Sequence, residues 1–177
     1  HQISGSALGE FRVLRIRQVW LALAVSVLAS TSMFTLFTYI TPILRDVTGV
    51  SPQNVSGVLL LCGVGLTIGN LLGGRLADWK LLPSLMCIFA VLAGVLAAFS
   101  FTSAWLWPAI VTVVVWGMVS FAAGTPLQAR VVSQAGDAPS LASTLNIGAF
   151  NLGNAIGAWL GGAVITAGWS LQAIPLV

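Results

Sequence analysis

Two asparagines lie three residues apart inside an apolar segment, and each amide can both donate and accept hydrogen bonds. Asn151 and Asn154 stand among four small residues at four-residue spacing, from Ala149 to Gly161. On a helix this spacing puts the small residues on one face and the amides on a neighbouring face. Because an amide in lipid needs a partner, the pattern predicts a transmembrane helix packed closely against another. Its amides would bond either that helix or a ligand in a polar cavity.

Other reactive side chains are few and scattered, which disfavours an enzyme. We expect no metal site, because the only histidine is His1 and no cysteine–histidine cluster accompanies it. Cys62 and Cys87 fall in different predicted helices, so we expect two free thiols. No cofactor is expected. The three aspartates of the chain fall in separate connections: Asp46, Asp78 and Asp137.

The composition predicts an all-α integral membrane protein. The 177 residues are 58% hydrophobic and 6% charged, with a mean hydropathy of +1.01, whereas soluble domains carry about 25% charged residues. So few charges cannot cover a water-facing surface, and the bilayer is therefore the expected partner. The basic residues are dispersed, so nucleic acid is not an expected partner.

Apolar runs and helix breakers predict five full spans and the beginning of a sixth. Turns are expected at 102–104 and 167–169, and Asp137 is placed to cap the fifth span. The last run is too short to cross a bilayer, which takes about 20 residues, so we expect the chain to stop inside a helix. The spans cover about 19–43, 55–72, 82–101, 105–126 and 139–165, followed by a stub at 169–177 and preceded by a basic tail at 1–18.

The distribution of basic residues predicts the orientation. Six of the seven Lys and Arg residues fall in the tail and in the connections after the second and fourth spans, which share one side; Arg45 alone falls on the other. Because basic connections stay in the cytoplasm, the N-terminus of this chain is predicted to be cytoplasmic. No span has an Asp, Glu, His, Lys or Arg at its middle, so any intramembrane proton coupling must come from elsewhere.

Polar and small residues distinguish four spans from the third, which is almost uniformly apolar and predicted to face lipid. The others are expected to face a cavity or one another. Small residues at spacing four predict close helix packing, at Gly65, Gly69, Gly73, Gly153, Gly157 and Gly161. The candidates for lining a substrate cavity are Thr31, Phe34, Trp116, Ser120, Asn151 and Asn154.

The connection after the second span reads G-R-L-A-D-W-K from Gly74 to Lys80, preceded by Gly73. We expect the glycine pair to let the chain turn tightly. This motif resembles the cytoplasmic loop motif of the major facilitator superfamily, although 81–83 (Leu-Leu-Pro) replaces its usual later basic residues. The resemblance implies a cytoplasmic gate element formed by Gly74, Arg75, Asp78 and Lys80, with Arg130 as a candidate partner for Asp78.

Segments 37–44, 126–131 and 145–154 resemble bacterial drug:proton antiporter-1 and arabinose-efflux-like members of that superfamily. The resemblance covers essentially the whole chain and implies the C-terminal six-helix half of a 12-span transporter in the bacterial inner membrane. It further implies efflux of small organic molecules, of drug or sugar type, by alternating access. Proton antiport would use acidic residues of the N-terminal half, which is the implied partner.

Two other interpretations remain. A membrane structural or assembly subunit could use the same helix packing without transporting anything. A membrane-embedded enzyme is disfavoured because its acidic candidates lie on different connections and on both sides of the membrane.

Overall fold

The described part of the chain, residues 11–136 and 138–177 of a computed structural model, consists of helices joined by short connections. Most of the predicted tail and the predicted cap Asp137 lie outside the described residues. The helices are a 3₁₀ turn at Phe11–Arg15, α1 at Arg17–Pro42, α2 at Pro52–Thr102, α3 at Leu106–Ala122, α4 at Gly124–Ser133, α5 at Pro139–Thr166, and a 3₁₀ helix at Leu171–Leu176.

Three helical segments of the described chain are long and apolar enough to cross a membrane: Arg17–Val47, Pro52–Thr102 and Leu106–Ser133. The second has 51 residues. Since one crossing takes about 20 residues, it is long enough for two. It bends at Lys80, where φ is −152° and ψ is 92°, and the bend divides α2 into a first arm (52–79) and a second arm (81–102).

The bend corrects our expectation for the glycine pair. Residues 73–79 remain helical, so Gly73 and Gly74 do not turn the chain. Gly73 is instead buried where the first arm meets α3, and a Cβ there would overlap the carbonyl oxygen of Ala122. A helical glycine without a Cβ is used here for close approach between helices.

Proline and serine explain why the helix breaks at the bend. Pro83 has no amide hydrogen to donate to the preceding turn. Ser84 Oγ donates to the carbonyl oxygen of Leu76 at 3.0 Å, a carbonyl whose usual helical donor would be the displaced amide of Lys80. The hydroxyl therefore satisfies a half-buried acceptor that the bend releases.

Three other helix ends differ from the predicted spans. The helix of the first span continues beyond Pro42 as a π-helix at Ile43–Val47. The fourth predicted span is divided at Ala123, and its second part, α4, runs to Ser133. The predicted start of a sixth helix is a 3₁₀ helix. The expected turn at Gly168 is present, with φ of 79°.

Two pairs of helices pack most extensively, α1 with α5 and α2 with α3. Each pair meets through a glycine face that allows the backbones to approach closely. A Cβ at Gly153 would lie 2.5 Å from the carbonyl oxygen of Val27, and one at Gly65 would lie 2.5 Å from that of Val114. The glycines facing a partner helix in this way are Gly65, Gly69 and Gly73 on α2, and Gly153, Gly157 and Gly161 on α5.

Candidate functional site

Polar contacts join α1 and α5 on the side of the glycine face. Ser30 Oγ donates to the carbonyl oxygen of Phe150 at 2.8 Å and also lies within hydrogen-bond reach of the Asn154 amide oxygen. Further along the pair, Tyr39 donates its hydroxyl proton to the carbonyl oxygen of Ala158 at 2.9 Å. The two helices are thus held in register by hydrogen bonds as well as by close packing.

A cavity of about 270 Å³ lies beside this contact, between α1, the second arm of α2, the α3–α4 segment and α5. We call it the inner cavity. Its wall is mostly apolar, and every side chain on it is uncharged. The polar side chains on it are Ser30, Ser120 and Asn154. Such a mixture is typical of sites that hold small, mostly apolar molecules with a few fixed polar contacts. The wall consists of Ala29, Ser30, Met33, Phe34, Leu92, Ser120, Phe121, Ala123, Gly124, Leu127, Phe150 and Asn154.

The six predicted cavity residues divide into two groups. Phe34, Ser120 and Asn154 come from three different helices and meet at the inner cavity. Asn154 was expected to contact either a neighbouring helix or a cavity. Its amide lies within reach of Ser30 on α1 and also lines the inner cavity.

The other three candidates do not line the inner cavity. Trp116 is completely buried, with its ring centroid 6.3 Å from that of Phe37. Thr31 lies against the glycine face of α5, where its carbonyl oxygen accepts from Thr35 Oγ1 at 2.7 Å. Asn151 is exposed on α5. The rotation of each helix around its axis decides these placements, and the sequence does not specify that rotation.

Buried donors without partners lie near the cavity. Ser120 Oγ and Trp116 Nε1 find no hydrogen-bond partner among the described residues. They are one turn apart on α3, so they share a face. Since an unpaired buried polar group is costly, these positions favour a polar atom supplied by a water molecule or a ligand.

A second polar cluster was not singled out from the sequence. Asn146 Nδ2 donates to Gln128 Oε1 at 2.6 Å, and Gln128 Nε2 donates to Ser143 Oγ at 2.6 Å. This cluster joins α4 to α5, and Asn146 is fully buried. The spacing could have indicated it, because Asn146 lies eight residues before Asn154, and positions i and i+8 both fall within one wide face of a helix.

The residues of the G-R-L-A-D-W-K motif lie at the end of the first arm. Arg75, Asp78 and Lys80 are exposed, and the Lys80 ammonium lies 5.4 Å from the centre of the Trp79 ring. Arg130 is half-buried on α4 and lines a groove that includes Gln18. The proposed pairing of Arg130 with Asp78 stays a prediction.

The composition and the described residues define a helical integral membrane protein with a small cavity between its helices. The sequence model of the Major Facilitator Superfamily matches residues 3–158. The chain therefore belongs to the Major Facilitator Superfamily.

Curated relatives point the same way. The chain is 45% identical to the "Inner membrane transport protein YdhP" of Escherichia coli K12 over 95% of its own length and 43% of the relative's. It is 31% identical to the "Probable sugar efflux transporter" of Helicobacter acinonychis, over 78% and 36%. It is also 31% identical to the "Chloramphenicol resistance protein" of Streptomyces lividans, over 84% and 38%. The chain thus spans about two fifths of the length of these relatives.

Proposed function

We propose that this chain is the C-terminal six-helix half of an exporter that moves small organic molecules across the bacterial inner membrane. The other half of the transporter would supply six further helices and the acidic residues for proton antiport. Transport would proceed by rocking of the two halves around a site near the middle of the membrane. Names of relatives that mention sugar efflux and chloramphenicol resistance support efflux as the direction.

The inner cavity is the observation that carries the proposal. It collects Ser30, Ser120 and Asn154 within an apolar wall, so that a small molecule could bury apolar surface while making two or three hydrogen bonds. The polar positions come from α1, α3 and α5, so any tilt of these helices relative to one another changes the binding geometry. A site with this property suits alternating access.

The motif at the end of the first arm is proposed as the cytoplasmic gate. Gly74, Arg75, Asp78 and Lys80 lie at the predicted cytoplasmic end, and Arg130 comes from the neighbouring α4. In the transporter, Asp78→Asn is expected to impair efflux while expression persists, since it removes one charge without changing the side chain's size. Normal efflux by this variant would remove the gate role.

Removal of a cavity hydroxyl is expected to reduce efflux. The full-length wild-type transporter, Ser120→Ala and Asn154→Leu are each expressed from the complete gene in a strain that lacks the transporter. The accumulation of a panel of fluorescent and antibiotic compounds is then measured in each strain. Ser120→Ala is the cleaner variant, because the hydroxyl has no protein partner to lose. Loss of one hydrogen bond to a substrate costs about 1 kcal/mol, so efflux at low substrate concentration should fall about fivefold.

Asn151→Leu is the matched control, because it makes the same change on the same helix at a position outside the inner cavity. Equal amounts of each variant in the membrane are verified by immunoblotting. Wild-type efflux by both cavity variants would contradict the assignment of the site. A gene without a further six-span hydrophobic pattern upstream would instead favour a structural or assembly subunit.

A further inference from the structure

The bend in α2 creates a second cavity, separate from the inner cavity, whose wall includes Lys80 of the proposed gate. The two arms diverge from Lys80, and α3 closes the space between them. The resulting groove encloses about 520 Å³, almost twice the volume of the inner cavity. We call it the kink groove. Its position at the bend is fixed locally, since Ser84 holds the carbonyl oxygen of Leu76.

The groove is apolar along its length. Ser84 is the only hydroxyl-bearing residue on its wall, and its hydroxyl is already used within α2. Cys87 lies on the wall and is exposed. An apolar surface of this kind, between helices that cross the membrane, is suited to a hydrocarbon chain. The wall consists of Leu72, Leu76, Trp79, Lys80, Pro83, Ser84, Cys87, Ile88, Val91, Met118, Val119 and Ala122.

The mouth of the groove is cationic and aromatic. Lys80 lines it with its ammonium beside the ring of Trp79, and Trp79 is 72% exposed. Arg75 is exposed on the same end of the first arm, as is Asp78, so the local formal charge is +1. Tryptophan and lysine are the residues that anchor a helix at the boundary between hydrocarbon and headgroups. The mouth therefore lies where a lipid phosphate would be found.

We propose that the kink groove binds one anionic phospholipid of the cytoplasmic leaflet. An acyl chain lies in the groove between the two arms and α3, and the phosphate contacts Lys80. Basic pockets between helices on the cytoplasmic side are suited to anionic headgroups, and the charge at the mouth selects against zwitterionic lipids. This site rests on the predicted orientation of the chain but does not depend on transport.

Lipid retention by the purified full-length transporter tests the headgroup contact. The protein is titrated with phosphatidylglycerol or phosphatidylcholine in detergent, and bound lipid is counted by native mass spectrometry. Lys80→Gln should lower the affinity for phosphatidylglycerol about fivefold, the effect of one basic residue at a membrane surface. Lys80→Arg should restore it. Arg45→Gln, a matched loss of one charge in the π-helix that follows α1, should leave it unchanged.

The exposed thiol provides an independent measurement of the groove itself. In a Cys62→Ala background, a small maleimide should label Cys87 in delipidated protein, and phosphatidylglycerol should slow that labelling more than phosphatidylcholine does. Val91→Trp, which fills the groove without changing charge, should reduce lipid binding as much as Lys80→Gln does. Three outcomes would overturn the proposal: equal losses in Lys80→Gln and Arg45→Gln, equal binding of the two lipids, or a Cys87 that lipid does not protect.

Discussion

At the scale of single residues, the amides of α5 are the clearest link between sequence and site. The spacing of Asn151 and Asn154 predicted a polar side of a close-packed helix, and Asn154 lies beside Ser30 of α1. Asn146, which was not singled out from the sequence, contacts Gln128 of α4. What the sequence could not supply was the partner of each amide. Ser30 and Gln128 lie 124 and 18 residues away from those amides, and such pairings depend on how the helices are arranged and rotated. For the same reason Asn151, which is close in sequence, is exposed.

The buried amide of Asn146 should contribute to stability. Asn146→Ala removes its hydrogen bond to Gln128 and leaves the carboxamide oxygen of the half-buried Gln128 without that donor. Hydrogen bonds between membrane helices contribute about 0.6 kcal/mol on average and up to about 1.7 kcal/mol. The variant should therefore unfold at a lower temperature in detergent, as followed by intrinsic tryptophan fluorescence. Asn151→Ala is the control; an equal shift in both variants would show that the cluster is energetically unimportant.

At the scale of helices, spacing rules were reliable for packing faces and unreliable for the bend. Small residues every fourth position predicted close approach on both α2 and α5, and each glycine faces a partner backbone or side chain. The glycine pair in the sequence predicted a turn, because glycine permits unusual backbone angles. In the structure Gly73 is held in a helix by its contact with α3, and the break occurs three residues before Pro83. Tertiary packing here outweighs local conformational freedom.

The glycine face of α5 should not tolerate even one methyl group. A Cβ at Gly157 would overlap the carbonyl oxygen of Thr31 and lie 2.8 Å from the amide nitrogen of Thr35. These are backbone atoms, so Gly157→Ala must separate α1 from α5, and overpacking of this kind costs about 1–3 kcal/mol. The expected result is a lower thermal unfolding temperature and a smaller yield of monodisperse protein on size-exclusion chromatography.

Gly148 provides a control on the same helix. No atom lies within 4 Å of a Cβ built there, and alanine is the better helix former by about 1 kcal/mol. Gly148→Ala should therefore be as stable as the wild type or slightly more stable. If Gly157→Ala behaved in the same way, the α1–α5 contact would not be as close as described.

At the scale of the whole molecule, α1, the second arm of α2, the α3–α4 segment and α5 surround the inner cavity. The sequence separated four spans with polar or small residues from one apolar span, and three of its six cavity candidates meet at the cavity. It could not say that α1 pairs with α5 or that α2 pairs with α3. Those pairings join segments about a hundred and about fifty residues apart along the chain, and periodicity within a helix carries no information about such distant partners.

The orientation predicted from the basic residues can be tested with single cysteines. Leu106–Ser133 is one candidate crossing of 28 residues, so the positions at its two ends should lie on opposite sides of the membrane. In a background lacking Cys62 and Cys87, Ala104→Cys should react with a membrane-impermeant maleimide in intact cells. Ser133→Cys should react only after permeabilisation, because it lies beside Arg130 on the side with six of the seven basic residues. The reverse pattern would invert the orientation and place the mouth of the kink groove in the outer leaflet. Labelling of both positions from one side would show that this segment does not cross the membrane at all.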